Sequence, residues 1–301
     1  MRTSVIISTF DKPHYLARTL AGMGAQLRQP DEVLIADDGS AEPTREVIRR
    51  FRDSVSFPVI HVRQEHSGWR KCRVMNRCIR ESTGDYVVFT DGDCIHRRDW
   101  LAAHARFARP GRLLAGGDLR LNDIVTRAIT ADDVASGRAF QPRWLMNNGM
   151  KWRRTMVKVL TPRAIAPFLD WINFTPARFG GSNASCWRED AIRVAGFDER
   201  FGWGKEDTEM GQRLRNLGLS PHHVRYNALC LHLDHERNPV PPGSQERNFA
   251  MLAEVKQSRR TVAIRSLLLG VNEPDEDFTV ERDSRPASER TPSEPALLLS
   301  A

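Results

Sequence analysis

No apolar run in this 301-residue chain approaches the roughly 18 residues that a membrane-spanning helix needs, and Thr3 enters a β-branched run where a leader peptide would carry its apolar core. Neither a spanning helix nor a secretory leader is expected. Cysteine is sparse: Cys72, Cys78, Cys94, Cys186 and Cys230 include no C-x-x-C pair, which excludes a zinc-ribbon spacing and a disulfide framework. The sequence therefore reads as cytoplasmic, with docking at the cytoplasmic membrane face left open. There is no internal repeat, and no Gly-rich phosphate loop after the first apolar run, where Ser8-Thr9-Phe10-Asp11 stand. Large apolar residues are scarce from Asn272 to Ala296, so 272–301 is expected to be a disordered tail behind a single domain at 1–271. Charge of neither sign is lacking, but the balance is basic, +7 with a pI near 9.5. That permits an acidic partner, yet no nucleic-acid motif accompanies it, and no nucleic acid is expected.

What is present is a repeated strand-helix rhythm. Thr3 to Thr9 is β-branched, and Lys12 to about Gln26 places Leu16, Leu20 and Met23 on one helical face. Strands are predicted at Glu32 to Ala36, Pro58 to Arg63 and Tyr86 to Thr90, with a helix from about Trp69 to Glu81 before the last of them. This pattern predicts an α/β fold, a mostly parallel central sheet flanked by helices, with a nucleotide-binding half at about 1–117 and an acceptor and catalytic half at about 118–271.

The acids stand where such a sheet collects ligands. The strand ending at Thr90 runs into Asp91-Gly92-Asp93, and the one ending at Ala36 runs into Asp37-Asp38-Gly39-Ser40. Ligands gather beyond the carboxyl ends of strands in open α/β sheets, and hard oxygen donors there suit Mg2+ or Mn2+ bridging a diphosphate. Acidic turns and caps also look like this. In FGWGKEDTEMGQRL (Phe201 to Leu214) an aromatic residue on a Gly-flexed loop precedes two carboxylates opening a helix with Met210, Leu214 and Leu217 on its apolar stripe. Acids in a first helical turn commonly just complement the dipole, but the flanking glycines mark Trp203 as a loop residue with a flat face for a sugar ring.

In order, SVIISTFDK, IADDGS, GWRKCRVMNRCI, FTDGDC and G-W-G-x-E-D make the chain resemble the family 2 glycosyltransferases of the GT-A fold across most of residues 3–235. The C-terminal half looks like the catalytic segment of β-1,4-galactosyltransferases and of bacterial chondroitin-type polymerases. The resemblance implies that Ser8, Phe10 and Asp38 hold the uracil of a UDP-sugar, with Phe10 stacking on it. Asp91 would lie near ribose and metal, Asp93 would ligate the metal with His232 in preference to His235, Trp203 would form the acceptor platform, and Asp207 would be the base. Phe201 and Lys205 stand where galactosyltransferases commonly carry Trp and Gly, so those enzymes' donor and acceptor choice does not transfer. Gln141-Pro142-Arg143-Trp144 is similar to the Q-x-x-R-W of processive synthases, but is one residue short and out of order.

The chemistry fits these residue types. Departure of a diphosphate needs its growing charge stabilised, which a divalent cation held by Asp93 and a second ligand supplies. The acceptor hydroxyl needs one base, and with no equally marked nucleophilic acid, inversion is expected. Glu206 is assigned to the acceptor or to holding the loop. The stretch Phe179-Gly180-Gly181-Ser182-Asn183 is expected to face the transferred sugar through Gly181 and Asn183, and Lys71 to reach the nucleotide phosphates. The reading is a metal-dependent, inverting transfer from a nucleotide-diphosphate sugar to a glycan or glycolipid hydroxyl. Its rivals are a nucleotidyltransferase, which lacks its phosphate loop here, and a catalytically inactive carbohydrate-binding relative. Two segments mixing Arg and Lys with large apolars, Met150 to Arg163 and Val255 to Gly270, are candidates for peripheral membrane contact, or equally for packing their apolar sides inward.

Overall fold

Alternation along Thr3–Thr9 (β1) sends Val5 and Ile7 into one apolar cluster and Ile6 into another. A strand buried on both faces belongs inside a sheet covered on each side. The structure, a computed structural model, describes residues 1–236, 242–270 and 277–290. After β1 come α1 (Pro13–Gly24), β2 (Glu32–Asp37), α2 (Glu42–Ser54), β3 (Val59–Gln64), α3 (Lys71–Glu81), β4 (Tyr86–Asp91), β5 (Cys94–His96), α4 (Trp100–Phe107), β6 (Arg112–Ala115) and β7 (Gly117–Arg120). Five short helices follow: α5 (Asp123–Ala128), α6 (Ala131–Ala135), α7 (Pro142–Asn147), α8 (Val157–Leu160) and α9 (Ala166–Trp171). The chain continues through β8 (Ala184–Trp187), α10 (Arg188–Arg193), α11 (Glu206–Asn216), β9 (Ser220–His223), β10 (Leu229–His232), α12 (Ser244–Ser258) and β11 (Phe278–Glu281).

The main sheet has the order β11-β3-β2-β1-β4-β8-β6-β9. Its left half, β3-β2-β1-β4, is parallel, whereas β8 runs antiparallel to both β4 and β6. Strand β1 pairs with β2 on one side and β4 on the other, so the order reverses there and a crevice opens beyond its carboxyl end. Helices α1, α2 and α4 contribute to the cluster on one face, and α3, α10 and α11 to the other. A second, three-stranded sheet, β5-β10-β7, carries a third cluster, to which α7 adds Leu145 and Trp144. The Trp of the Q-P-R-W sequence is thus a packing residue.

The sheet edge differs from expectation. Within residues 277–290, read as part of a disordered tail, Phe278–Glu281 forms β11, which pairs antiparallel with β3, and Arg285 donates to the carbonyls of Arg52 and Asp53. Phe278 and Val280 pack on the second cluster, and Arg73 lies over the Phe278 ring at 4.4 Å. Four alternating residues suffice to cover an open edge, a signal that segment-averaged composition conceals. The remainder of 272–301 lies outside the described residues, apart from these. The Val255 to Gly270 segment turns partly inward: Val255, Ala263 and Leu267 are buried while Val262, Ile264 and Leu269 are exposed, and α12 ends at Ser258.

Candidate active site

Register places the first carboxylate. Ser8 is opposite Asp91 in the β1–β4 ladder, and its hydroxyl donates to Asp91 Oδ1 at 2.7 Å, which leaves its lone pairs as acceptors. Gly92 bonds back to Ser8 O at 2.8 Å, and a Cβ at Gly92 would come within 2.9 Å of that oxygen, which is why the turn after β4 carries glycine. From the start of α3, Lys71 donates to the same Asp91 oxygen at 2.6 Å and lies 4.0 Å from Glu206 Oε1. One ammonium therefore joins the two acidic motifs that are 115 residues apart in the numbering of Asp91 and Glu206. Burial alone would lower the pKa of Lys71, but Asp91 and Glu206 outweigh it and the amine stays charged.

Glu206 responds in the opposite sense. Burial, reinforced by Asp207 and only partly offset by Lys71, pushes its carboxyl up to about 7. Between its ordinary 4.5 and about 7 the folded chain binds the extra proton, so this group makes the fold less stable as pH rises through that window. Glu206→Gln lacks the penalty. The variant's melting temperature, minus that of the wild type, is expected to increase from about pH 5 to about pH 8, and a difference flat with pH would contradict the burial argument.

The second sheet builds a candidate metal centre. In the antiparallel β5–β10 pair His232 is opposite Cys94, and Leu233 N donates to Asp93 O at 2.9 Å. Asp93, Cys94 and His232 present ligand atoms within 4.8 Å of one another. His232 Nε2 is 3.7 Å from Asp93 Oδ1, while His235 Nε2 is nearer, 2.8 Å from Oδ2, and the two imidazoles stack at 5.7 Å. Lys12 Nζ stands 2.8 Å from His235 Nδ1. Burial alone would raise the pKa of Asp93, but the His235 hydrogen bond and the His232, His235 and Lys12 charges outweigh it and hold the carboxylate near 2. An ionised, half-buried carboxylate surrounded by displaceable cations and an imidazole is a donor set that fits Mn2+ or Mg2+. Cys94 fits less well, since its contact with Cys230 and its burial push the thiol well above the ordinary range.

Asp38 lies at the end of β2, where Gly39 turns the chain at φ +93° with no room for a Cβ against His66 N (2.5 Å). Its Oδ1 accepts from Gln64 Nε2 and its Oδ2 from Arg70 N at 2.9 Å, which delays the start of α3 to Lys71 instead of Trp69. Burial raises the carboxyl pKa, with Gln64 and Arg70 offsetting part of the shift. Phe10 is half-buried with His66 stacked on it, centroids 4.3 Å apart and planes 14° apart. Gln64 and His66 carried no sequence signal, because only the fold sets them against Asp38 and Phe10.

Around α11 the loop geometry is constrained. Lys205, where galactosyltransferases commonly have Gly, adopts φ +74° before the helix, a left-handed conformation that costs a non-Gly residue on the order of 1 kcal/mol. Its ammonium lies over the Phe249 ring at 4.8 Å, and Asn248 donates to Trp203 O and Gly204 O at 3.0 and 2.7 Å, so α12 clamps the loop. Asp207 Oδ2 accepts from Gly181 N at 2.9 Å, and Oδ1 accepts from Thr208 N and Oγ1. Trp203 is half-buried, and Phe201 is fully packed in the second cluster.

Gly181 meets the E-D pair, but Asn183 does not face the sugar. It is buried, with Nδ2 donating to Gly117 O and Ala228 O and Oδ1 accepting from Trp100 Nε1 and His104 Nε2. Its polarity serves a buried network that pins the 180–183 loop to the start of β7, the turn before β10 and α4. Thr90 adds a second pin. Its hydroxyl donates to Ser182 O at 3.0 Å, so the 2.8 Å contact with His96 requires His96 Nε2 to donate. Burial takes the His96 pKa down to about 3, and its Nδ1 has no hydrogen-bond partner among the described residues.

The family described as glycosyl transferase family 2 matches residues 4–160, and the N-terminal domain of galactosyltransferase matches residues 163–236. Validoxylamine A glucosyltransferase of Streptomyces hygroscopicus subsp. limoneus is 30% identical over 248 residues, 78% of this chain and 52% of that protein. Chondroitin synthase of Escherichia coli is 30% identical over 253 residues, 80% of this chain and 35% of that one. The chain thus spans about half or less of the length of these relatives. Among solved structures, S. aureus TarS 1-349 in complex with UDP-GlcNAc has a TM-score of 0.60 at 15% identity, covering 86% of this chain and 69% of that one. The mannosyltransferase PcManGT from Pyrobaculum calidifontis in complex with GDP-Man and Mn2+ gives 0.52 at 18%, covering 86% and 71%. At such identities the structures establish the fold alone, the GT-A fold of glycosyltransferases. By the match over more than half its length, the chain belongs to glycosyl transferase family 2, continued by a galactosyltransferase-type segment.

Proposed function

We propose that this chain transfers a sugar, with inversion, from a nucleotide-diphosphate sugar, specifically a UDP-sugar, to a hydroxyl of a glycan or glycolipid, with Asp207 as base and Mn2+ or Mg2+ as cofactor. The convergence of Asp91, Lys71 and Glu206 carries this reading, because it joins the strand-end acids to the helix that opens with the E-D pair. Phe10 and Asp38 hold the base, the carboxylate using lone pairs that Gln64 and Arg70 leave over. Lys71 supplies positive charge beside the phosphates. Asp93 and His232, with Asp91 nearby, would hold the cation, which supplies charge stabilisation to the departing diphosphate. Trp203 offers its ring to the acceptor, and Asp207, oriented by Gly181 and Thr208, takes the hydroxyl proton. A single base, with no equally marked second acid among the described residues, favours inversion. UDP-GlcNAc in a fold neighbour supports the donor class, and Mn2+ in another supports the cofactor.

The experiment is a thermal-shift and transfer screen of UDP, GDP and their sugars with and without Mn2+. Stabilisation by UDP compounds in the presence of metal is expected, and indifference to every nucleotide would overturn the reading. Within it, Asp38→Ala is expected to weaken UDP binding by roughly 1–3 kcal/mol, the cost of a lost hydrogen bond to a charged group. Calorimetry showing unchanged UDP affinity would return Asp38 to a purely architectural role in seating Gln64 and Arg70.

A further inference from the structure

Between Val134 and Arg188 the sole carboxylate is Asp170, whereas Arg143, Lys151, Arg153, Arg154, Arg163 and Arg178 all occur there and are exposed. Asp170 is itself buried, accepting from Tyr226 N at 3.0 Å and from Asn227 Nδ2 at 2.6 Å, so it presents no negative charge to solvent. The same stretch exposes large apolar side chains that a core would ordinarily hold. Trp171 is 76% exposed and Phe174 98%, and Trp152, Leu160, Ile165 and Phe168 are exposed with them. Along α9 and its preceding residue, Ile165, Phe168 and Trp171 recur every third position and so share a helix face, with the Phe168 and Trp171 rings 6.1 Å apart. The segment is nevertheless anchored. Lys158 donates to Asp118 O, Arg163 pairs with Asp99 at 3.0 Å, and Asp170 staples α9 to the turn before β10.

We propose that the 151–178 segment is a docking surface for an anionic lipid bilayer. Cationic side chains around exposed Trp, Phe, Leu and Ile match an interface with phosphate headgroups above and acyl chains beneath. An anionic polysaccharide would complement the charge but has no use for Val157, Leu160 and Ile165, whose aliphatic surfaces face a polyhydroxyl chain poorly. The segment leads directly through Phe179 into Gly180 and Gly181, the latter bonded to Asp207, so docking would set the candidate active site close to the bilayer surface. The inference stands on exposure and charge and is independent of the catalytic assignment.

The test is sedimentation of the full chain with vesicles of phosphatidylglycerol and phosphatidylcholine, against phosphatidylcholine alone. Binding to the anionic vesicles is expected, falling about tenfold between 0.1 and 0.5 M salt as the charges are screened, and by a similar factor in Trp171→Ser/Phe174→Ser. Quenching of wild-type tryptophan fluorescence by brominated phosphatidylglycerol vesicles provides a readout that needs no variant, and quenching is expected. Absence of vesicle binding, or binding indifferent to the double substitution together with no quenching, would overturn the proposal. So would loss, in that variant, of binding to a soluble anionic polysaccharide or of self-association while vesicles are ignored, since the surface would then belong to a glycan or to a second copy.

Discussion

Asp207→Asn is expected to lower kcat by roughly 10²–10⁴ while nucleotide-sugar binding changes little, because the substitution removes a base and leaves the strand-end acids untouched. The local geometry sharpens the expectation. Asp207 accepts from Gly181 on one oxygen and from Thr208 on the other, so an amide keeps only one of these orienting contacts and cannot take a proton. Glu206→Gln is the necessary companion. Glu206 sits 4.0 Å from Lys71 and shares that ammonium with Asp91, a position from which it tunes the electrostatics of the crevice. A smaller loss is expected there. Steady-state kinetics with donor and acceptor varied separately decide the matter: near wild-type kcat in Asp207→Asn, with the large loss falling on Glu206→Gln, would move the base by one residue and sink the assignment.

Why the acids were legible and much of their surroundings was not follows from the range of the interactions. Strand-end carboxylates announce themselves because an apolar run of β-branched residues has to stop where the charge begins, and Asp38, Asp91 and Asp93 all lie at such stops. Glu206 and Asp207 are legible as first-turn acids behind glycines. Long-range partnerships leave no such trace. Nothing near Asn183 indicates that Trp100, His104, Gly117 and Ala228 will exhaust its amide, and a Gly-Gly-Ser-Asn loop reads as ligand-facing until the helix and strands close over it. Asn248, which clamps the Trp203 loop, lies on a helix far along the chain. His235 stands two residues beyond the main-chain contact of Leu233 with Asp93, and its closeness to Asp93 depends on how the chain leaves β10, which strand periodicity does not encode. The edge strand β11 was hidden because its neighbours are charged and proline-containing, and only pairing with β3 makes sense of Phe278 and Val280.

Chelation is expected to abolish transfer, with Mn2+ restoring it better than Mg2+. The contrast arises because imidazole is a softer donor than carboxylate, so a site drawing on His232 as well as Asp93 discriminates against the ion that most prefers oxygen. Loss of the charge stabilisation that such an ion gives a departing diphosphate, several kcal/mol, corresponds to on the order of 10²–10⁴ in rate. Asp93→Ala should show a comparable loss that added Mn2+ does not rescue, since it removes the one ionised carboxylate that both imidazoles and Lys12 surround. His232→Ala and His235→Ala then separate the two imidazoles. His235 is closer to Asp93 at 2.8 Å, and that hydrogen bond raises its pKa and makes it a counter-charge to Asp93, with Lys12 beside it offsetting part of the shift. His232, directly across from Cys94 in the strand ladder, is fixed by backbone pairing and needs no such neighbour. Titrating each variant with Mn2+ while following transfer should therefore shift the half-saturating concentration upward for His232→Ala and leave it near the wild-type value or lower for His235→Ala. The reverse order would make His235 the ligand, and EDTA-resistant turnover would remove the metal from the mechanism altogether.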